Sequence, residues 1–196
     1  MIMFFEHMTF EHLWSLACQE SRRLGQPPHS VFDSIGLRLE PPKSPWQYYC
    51  TPKNVRTFAS TGRDGVHYSL LACQELMYSP VVMTVPMNFD NNNMIVGETL
   101  HEFLCLGARV GYAALEVLTA LDGDFSSLKS PVYASSLSVA QAKKLRILSE
   151  TFSLYPSVGS SGGLVRRMAQ LQALYLDYVQ LGEKSLIPTR AVAAGR

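Results

Sequence analysis

Apolar positions divide the chain into three parts with different spacing. Between Thr9 and Leu24 apolar residues recur every three or four positions, which predicts an amphipathic helix ended by Gly25. Between Pro27 and Pro86 short apolar runs alternate with prolines and turn residues, and eight of the eleven prolines lie here. Because proline cannot donate a hydrogen bond to a sheet ladder, this second pattern predicts strands separated by rigid turns.

The proline-rich part contains five candidate strands. They cover residues 31–40, 46–50, 55–60, 66–71 and 81–85. Their connections are too short for crossover helices, so we expect a largely antiparallel sheet. The third and fourth runs flank the sequence TGRDG, which is typical of a hairpin turn with Asp64-Gly65 at its tip.

After Gly97 the apolar spacing becomes helical. The predicted helices are a short one closed at Gly107, one over 112–121, one between Ser138 and Pro156, and one over 164–178. Ser138 and Gln141 form a capping-box pattern at the start of the third of these helices. A helix, then strands, then helices indicate an α+β fold: a central, mostly antiparallel or mixed sheet of five or six strands flanked by helices.

Composition narrows the class of protein. A chain of 196 residues, 47% of them hydrophobic, can form a sizeable core, so we expect a single domain over residues 1–188 and a flexible tail over 189–196. The formal net charge of +1 argues against a nucleic-acid-binding face. No apolar run approaches the roughly 18–20 residues needed to cross a bilayer, so no membrane partner is expected. The four cysteines lie among apolar neighbours without a CxxC pair, which favours free thiols in a cytoplasmic protein.

The predicted hairpin turn holds the one cluster that resembles a functional site. The cluster consists of Gly62, Arg63, Asp64, Gly65 and His67. Histidine titrates near neutral pH, so Asp64 and His67 could act as the acid–base pair of a small enzyme. Alternatively, Asp64-Gly65 supplies left-handed turn geometry while His67 hydrogen-bonds on the sheet, or the turn is a binding surface.

Two further groups match metal-binding motifs only in part. Glu98 and His101, three residues apart, mimic half of a di-metal carboxylate motif, but the chain has no second pair. Residues 90–93, Asp-Asn-Asn-Asn, are rich in oxygen ligands but lack the glycine and distal glutamate of a calcium loop. We therefore expect a helix-surface pair and an exposed loop, with no catalytic residue, metal or cofactor assigned.

The central block carries a family resemblance. The residues that carry it are TP at 51–52, TFASTGRDGVHYSLL at 57–71, SPVVMTVPMN at 79–88 and IVGETLHEFLCLG at 95–107. This block resembles the SUKH superfamily, which includes yeast cell-wall synthesis regulators and bacterial toxin-immunity proteins. Asp64, Gly65 and His67 match the Gly-Asp-Gly-Val/Ile-His turn of related bacterial sequences, whereas Arg63 stands in place of a glycine.

The SUKH resemblance implies an α+β fold. It also implies that the protein functions by binding another protein rather than by catalysis. In the immunity members that protein is a toxin. Many of these members are acidic, which suits basic nuclease toxins, and the net charge of +1 departs from that pattern.

The sequence therefore predicts a non-enzymatic protein-binding module, with a cognate toxin as one class of partner. The alternative is a small acid–base enzyme that uses Asp64 and His67. For a binding module, the candidate interface anchors in the sheet region are Trp46, Tyr48, Tyr49, Arg63 and Tyr68. Burial in the core is the alternative for Trp46 and Tyr68, and Arg63 is expected to be the most accessible.

Overall fold

A computed structural model of the chain describes residues 8–41, 48–89, 91–121, 137–154 and 161–182. Within these residues the α-helices are α1 (Phe10–Leu24), α2 (Leu100–Val110), α3 (Val139–Phe152) and α4 (Ser161–Tyr175). The strands are β1 (Arg38–Leu39), β2 (Val55–Ser60), β3 (His67–Leu71), β4 (Val81–Thr84) and β5 (Asn93–Gly97). Short 3-10 helices cover Pro28–Ser30, Asp33–Ile35, Ala113–Leu121 and Leu176–Tyr178.

The five strands form one sheet in which every strand pairs with its neighbour along the chain. Their order is β1-β2-β3-β4-β5, and all four pairings are antiparallel. The predicted α+β fold with an antiparallel sheet and accompanying helices is therefore confirmed. In such a meander the β2–β3 turn and the β4–β5 loop lie at the same end of the sheet.

Aromatic rings join the sheet to the helices. Phe103 of α2 lies 5.7 Å from Phe58 of β2 and 4.7 Å from Tyr68 of β3, measured between ring centroids. Phe10 of α1 lies 5.9 Å from Phe58, and Tyr112 lies 5.6 Å from Phe103. All five rings are buried, so α1, α2, β2 and β3 share one core.

A side chain of α4 covers the edge of the sheet at β5. The amide of Gln172 donates to the carbonyl of Ile95 at 2.7 Å, and its oxygen accepts from the Ile95 N–H at 2.9 Å. An edge strand presents backbone groups that need partners, and one glutamine amide supplies both a donor and an acceptor here. α4 thus completes the sheet without adding a strand.

One predicted strand is shorter than expected, one is a turn in its described part, and the structure adds a strand that the sequence pattern does not predict. Within 31–40 only Arg38–Leu39 is a strand, because Asp33–Ile35 forms a 3-10 turn that ends at Gly36 with φ +80°. Of 46–50, residues 46 and 47 lie outside the described part, and Tyr49 and Cys50 form a turn. Residues 93–97 form β5, although the asparagine run predicts an exposed loop at residue 93.

The ends of the helices also differ in part from the prediction. α2 continues through Gly107 to Val110, and Gly107 makes room for the ring of Tyr112, which a Cβ at this position would overlap. The segment after it is a 3-10 helix, and α4 begins before residue 164. The capping box is confirmed: Gln141 N donates to Ser138 Oγ at 3.3 Å, and Ser138 N donates to Gln141 Oε1 at 2.9 Å.

Three predictions concern residues outside the described ranges, namely Trp46, residue 90 and the tail over 189–196. Within those ranges, no helix combines the length and the apolar character needed to span a membrane.

Candidate functional site

Residues 61–66 form a tight turn between β2 and β3, as predicted. Thr61 N donates to Val66 O and Val66 N donates to Arg63 O, both at 3.0 Å. The backbone is left-handed at Gly62, Asp64 and Gly65, with φ of 74°, 49° and 72°. Glycine reaches this conformation without strain, and aspartate is among the few other residues that adopt it readily. The prediction that Asp64-Gly65 forms the tip of the hairpin is therefore confirmed.

His67, the fifth residue of the cluster, lies inside the protein rather than on its surface. Its Nδ1 lies 2.8 Å from the carbonyl of Gly65, which can only accept, so Nδ1 carries the proton. Nε2 then accepts from the hydroxyl of Thr51 at 2.9 Å, and that hydroxyl oxygen accepts from Tyr48 N at 2.7 Å. Burial lowers the pKa of His67 below its usual value. A neutral His67 therefore fastens the turn at residues 48–51 to the hairpin.

The hairpin thus places Asp64 and His67, the candidate acid–base pair, in different environments. Arg63 and Asp64 are exposed at the tip, which confirms the prediction that Arg63 is solvent-accessible, whereas His67 is fully buried. An acid–base pair must bring both groups within hydrogen-bond reach of one substrate. With both ring nitrogens bonded to the protein, His67 fits a structural role better than a catalytic one.

A polar cleft of about 360 Å³ opens beside the turn. Arg63 and Asp64 line it together with Arg38 and Glu40, and the wall includes the ring of Tyr48. Charged side chains of both signs therefore converge on one accessible recess next to an aromatic ring, an arrangement suited to recognising polar groups of a partner.

The structure separates the predicted interface anchors into exposed and buried groups. Tyr49 is 67% exposed and Tyr48 is 38% exposed. Tyr68 is fully buried, and its hydroxyl donates to the carbonyl of Tyr112 at 2.5 Å. Tyr68 is therefore a core residue, because its strand position turns the ring toward α2.

Three further exposed apolar residues, which the sequence pattern does not single out, lie in the segments after β4 and after α2. They are Met87 and Phe89 in the loop after β4, and Val117 in the 3-10 helix after α2. The available signal was the Met-Asn-Phe sequence between an apolar strand and an asparagine run, because large apolar residues are unusual in such a polar loop.

Hydrogen bonds connect the segments that carry these residues. The Tyr49 hydroxyl donates to the carbonyl of Pro86 at 2.8 Å, and the Asn88 amide donates to the carbonyl of Thr119 at 2.8 Å. Together with the hairpin turn, these segments form one surface, which we call the loop end. It comprises residues 48–51, 61–66, 85–89 and 113–119.

Glu116, in the fourth of these segments, lies within electrostatic range of the hairpin tip. Burial raises the pKa of Glu116, the nearby carboxylate of Asp64 raises it further, and Arg63 acts in the opposite direction. The three charged groups are therefore close enough to influence one another across the loop end.

A second polar cluster fastens α4 to the start of α2. Arg167 donates to Glu102 Oε1 and to Glu98 Oε2, both at 2.7 Å, and the hydroxyl of Tyr175 also donates to Glu98. The hydrogen bond from Tyr175, followed by that from Arg167, lowers the pKa of Glu98. Each charge in this cluster has a partner within the protein, which indicates a structural connection between α4 and α2.

The expected surface pair of Glu98 and His101 is therefore wrong. Glu98 precedes the N-cap residue of α2 and binds α4, whereas His101 Nε2 donates to the carbonyl of Phe152 at the end of α3. His101 also lies 3.8 Å from the sulfur of Cys105, measured from Nδ1. Burial, followed by the charge of Glu102, raises the pKa of Cys105 to about 11, so this thiol stays protonated at neutral pH.

Among the residues that the structure describes, no group of three or more histidine, cysteine, aspartate or glutamate side chains could hold a metal ion. In comparisons with family models, curated proteins and solved structures, the chain matches none of them.

Proposed function

We propose that the chain is a non-enzymatic protein-binding module that contacts its partner through the loop end. The observation that carries this proposal is the division of the hairpin: Arg63 and Asp64 are exposed at its tip, whereas His67 is buried and hydrogen-bonded. Arg63 and Asp64 can therefore contact charged groups of another molecule. His67, the candidate for proton transfer, instead stabilises the conformation of the hairpin.

The loop end also has the composition of an interface. Tyrosine, methionine, phenylalanine and arginine are enriched in protein–protein contacts, and each occurs here with its side chain exposed. Exposed apolar side chains that cluster next to charged groups are typical of interaction sites.

The class of partner that we propose is a toxin, in a bacterial toxin-immunity pair. This part of the proposal rests on the SUKH-like block alone. We also propose a cytoplasmic location, because all four cysteines lie in the described residues and none forms a disulfide.

Co-expression with the product of the neighbouring gene tests this function. We expect the two proteins to elute as one complex in size-exclusion chromatography, and the chain to restore growth where the neighbouring product arrests it. Arg63→Glu should change the affinity of the complex at least about tenfold, since it reverses an exposed charge at the proposed contact.

The matched control is Arg166→Glu, which reverses an exposed charge on α4, outside the loop end. This variant should leave the complex unchanged. A complex whose affinity is unchanged by Arg63→Glu as well as by Arg166→Glu would show that the loop end is not the binding surface. A neighbouring product that neither binds nor harms cells would refute the toxin-immunity assignment.

A further inference from the structure

We infer that the loop end binds a basic–apolar segment, in which a lysine or arginine stands next to an aromatic or long aliphatic side chain. This inference rests on the proposed function and adds the chemistry of the partner. It follows from the apolar area, the rigidity and the charge balance of the loop end.

The apolar area of the loop end is large for so small a surface. Tyr49 is 67% exposed, Met87 70%, Phe89 68% and Val117 51%. An aromatic side chain buries about 150–250 Å² when it is covered, so Tyr49 and Phe89 alone leave roughly 200–340 Å² in contact with water. A partner that covers this area needs an apolar group of its own.

The loop end is also held in shape before any partner arrives. His67 binds the hairpin to residues 48–51, Tyr49 binds those residues to Pro86, and Asn88 binds the same loop to Thr119. The bonds from His67 to Thr51, from Tyr49 to Pro86 and from Asn88 to Thr119 each join two different segments, so the four segments are connected to one another. A surface ordered in advance loses little conformational entropy on binding, which favours a short segment as its ligand.

The charges of the loop end favour a cation. Its described residues carry one positive side chain, Arg63, and two carboxylates, Asp64 and Glu116, and the adjoining cleft adds one charge of each sign, Arg38 and Glu40. Burial is the main cause of the raised pKa of Glu116. The charge of Asp64 raises this pKa by more than the charge of Arg63 lowers it, so the two carboxylates repel each other and Arg63 offsets the repulsion only in part. A lysine or arginine of the partner placed beside both carboxylates would relieve the repulsion, whereas a carboxylate would add to it.

Selection from a random linear peptide library against the immobilised full chain tests this inference. We expect the enriched peptides to place lysine or arginine beside an aromatic or long aliphatic residue. A synthetic peptide with the enriched sequence should lose affinity at least about tenfold with Met87→Ser and at least about threefold with Asp64→Asn. Both variants should fold, because Met87 is exposed and asparagine tolerates the left-handed backbone of residue 64.

Two matched controls accompany these variants. Met77→Ser removes a methionine that is 86% exposed in the connection between β3 and β4, at the opposite end of the sheet. Asp177→Asn neutralises an exposed aspartate in the 3-10 helix after α4. Neither control should change the affinity for the peptide by more than about twofold.

The outcomes separate the inference from the proposed function. Acidic or uncharged peptides that lose affinity with Met87→Ser would overturn the inference and leave the loop end as the binding surface. A selection in which no peptide responds to Met87→Ser or to Arg63→Glu would overturn both. Basic–apolar peptides that respond to the loop-end variants, but not to the controls, would support both.

Discussion

Two glycines of the hairpin turn allow the role of Tyr48 to be measured. Gly62 and Gly65 have nearly equal φ, 74° and 72°, so an alanine at either position meets the same backbone strain. Their surroundings differ: a Cβ at Gly62 would lie 3.8 Å from its nearest neighbour, Cδ of Arg38. At Gly65 it would lie 2.6 Å from Cζ and 2.8 Å from the hydroxyl oxygen of Tyr48. Gly62→Ala therefore isolates the strain, and Gly65→Ala adds displacement of the ring.

The expected costs follow from these two terms. A left-handed backbone costs a residue with a Cβ about 1–2 kcal/mol, which is the predicted loss of stability for Gly62→Ala. Tyr48 is 38% exposed, so its ring contributes up to about 2–4 kcal/mol through the area that the protein covers. The clashing atoms lie at the far end of the side chain, which can rotate and keep part of its contacts. We therefore expect Gly65→Ala to cost about 2–4 kcal/mol, roughly 1–2 kcal/mol more than Gly62→Ala.

Urea unfolding followed by circular dichroism measures both variants. A double-mutant cycle with Tyr48→Ala completes the test, because Gly65→Ala should then cost no more than Gly62→Ala. Equal losses for the two glycine variants in the wild-type background would refute the steric role of Tyr48. Unchanged stability in both variants would refute the argument from left-handed backbone strain.

Three further predictions concern Gln172 at the sheet edge, the buried His67 and the ion pairs of Arg167. In Gln172→Ala the backbone amide of Ile95 should exchange with solvent faster than in the wild type, as measured by NMR, since its acceptor is lost; an unchanged rate would show that Gln172 does not protect the edge. The pKa of His67 is lowered by burial, so the unfolded chain binds its proton at a higher pH than the folded chain, and the free energy of unfolding should fall as the pH drops below 6.5. In His67→Gln this part of the pH dependence should disappear in urea titrations at several pH values, and a slope that persists unchanged would contradict the assignment. Arg167→Met should cost about 1–2 kcal/mol, because two partly exposed carboxylates lose their partner. The pKa of Glu98 is lowered, so the stabilising effect of its carboxylate is present above pH 4.5 and is lost at lower pH. The Arg167→Met variant should therefore lose less stability on acidification than the wild type.

Local patterns in the sequence were sufficient wherever a short-range interaction determines the structure. Ser138 and Gln141 cap α3 as their spacing predicts, and Gly25 ends α1 in a left-handed conformation. The turn at Asp64-Gly65 was predictable for the same reason, since its geometry depends on residues within the turn.

Tertiary contacts explain what the sequence did not predict. Asn93 looks like a loop residue, yet it lies in β5 because its side chain finds partners in Thr84 and in the carbonyl of Cys50. Gly107 looks like a helix end, yet it is a contact site for Tyr112. In each case the deciding partner is a residue that no local spacing rule identifies, so propensity alone gives the wrong element.

The exposed apolar side chains of the loop end could be predicted only as scattered residues. Met87 and Val117 are far apart in sequence, and the bond from Asn88 to Thr119 brings their segments together. The charges were easier to identify because Arg63 and Asp64 are adjacent.

The cover that Gln172 places over β5 has a consequence for synthesis on the ribosome. β5 ends at Gly97, and Gln172 follows it by 75 residues. At about 5–20 residues per second, roughly 4–15 s pass between translation of the strand and translation of the side chain that protects its edge. During that interval the backbone groups of Ile95 lack the partner that they have in the finished protein. Until α4 packs against β5, the edge of the nascent sheet can pair with strands of other chains.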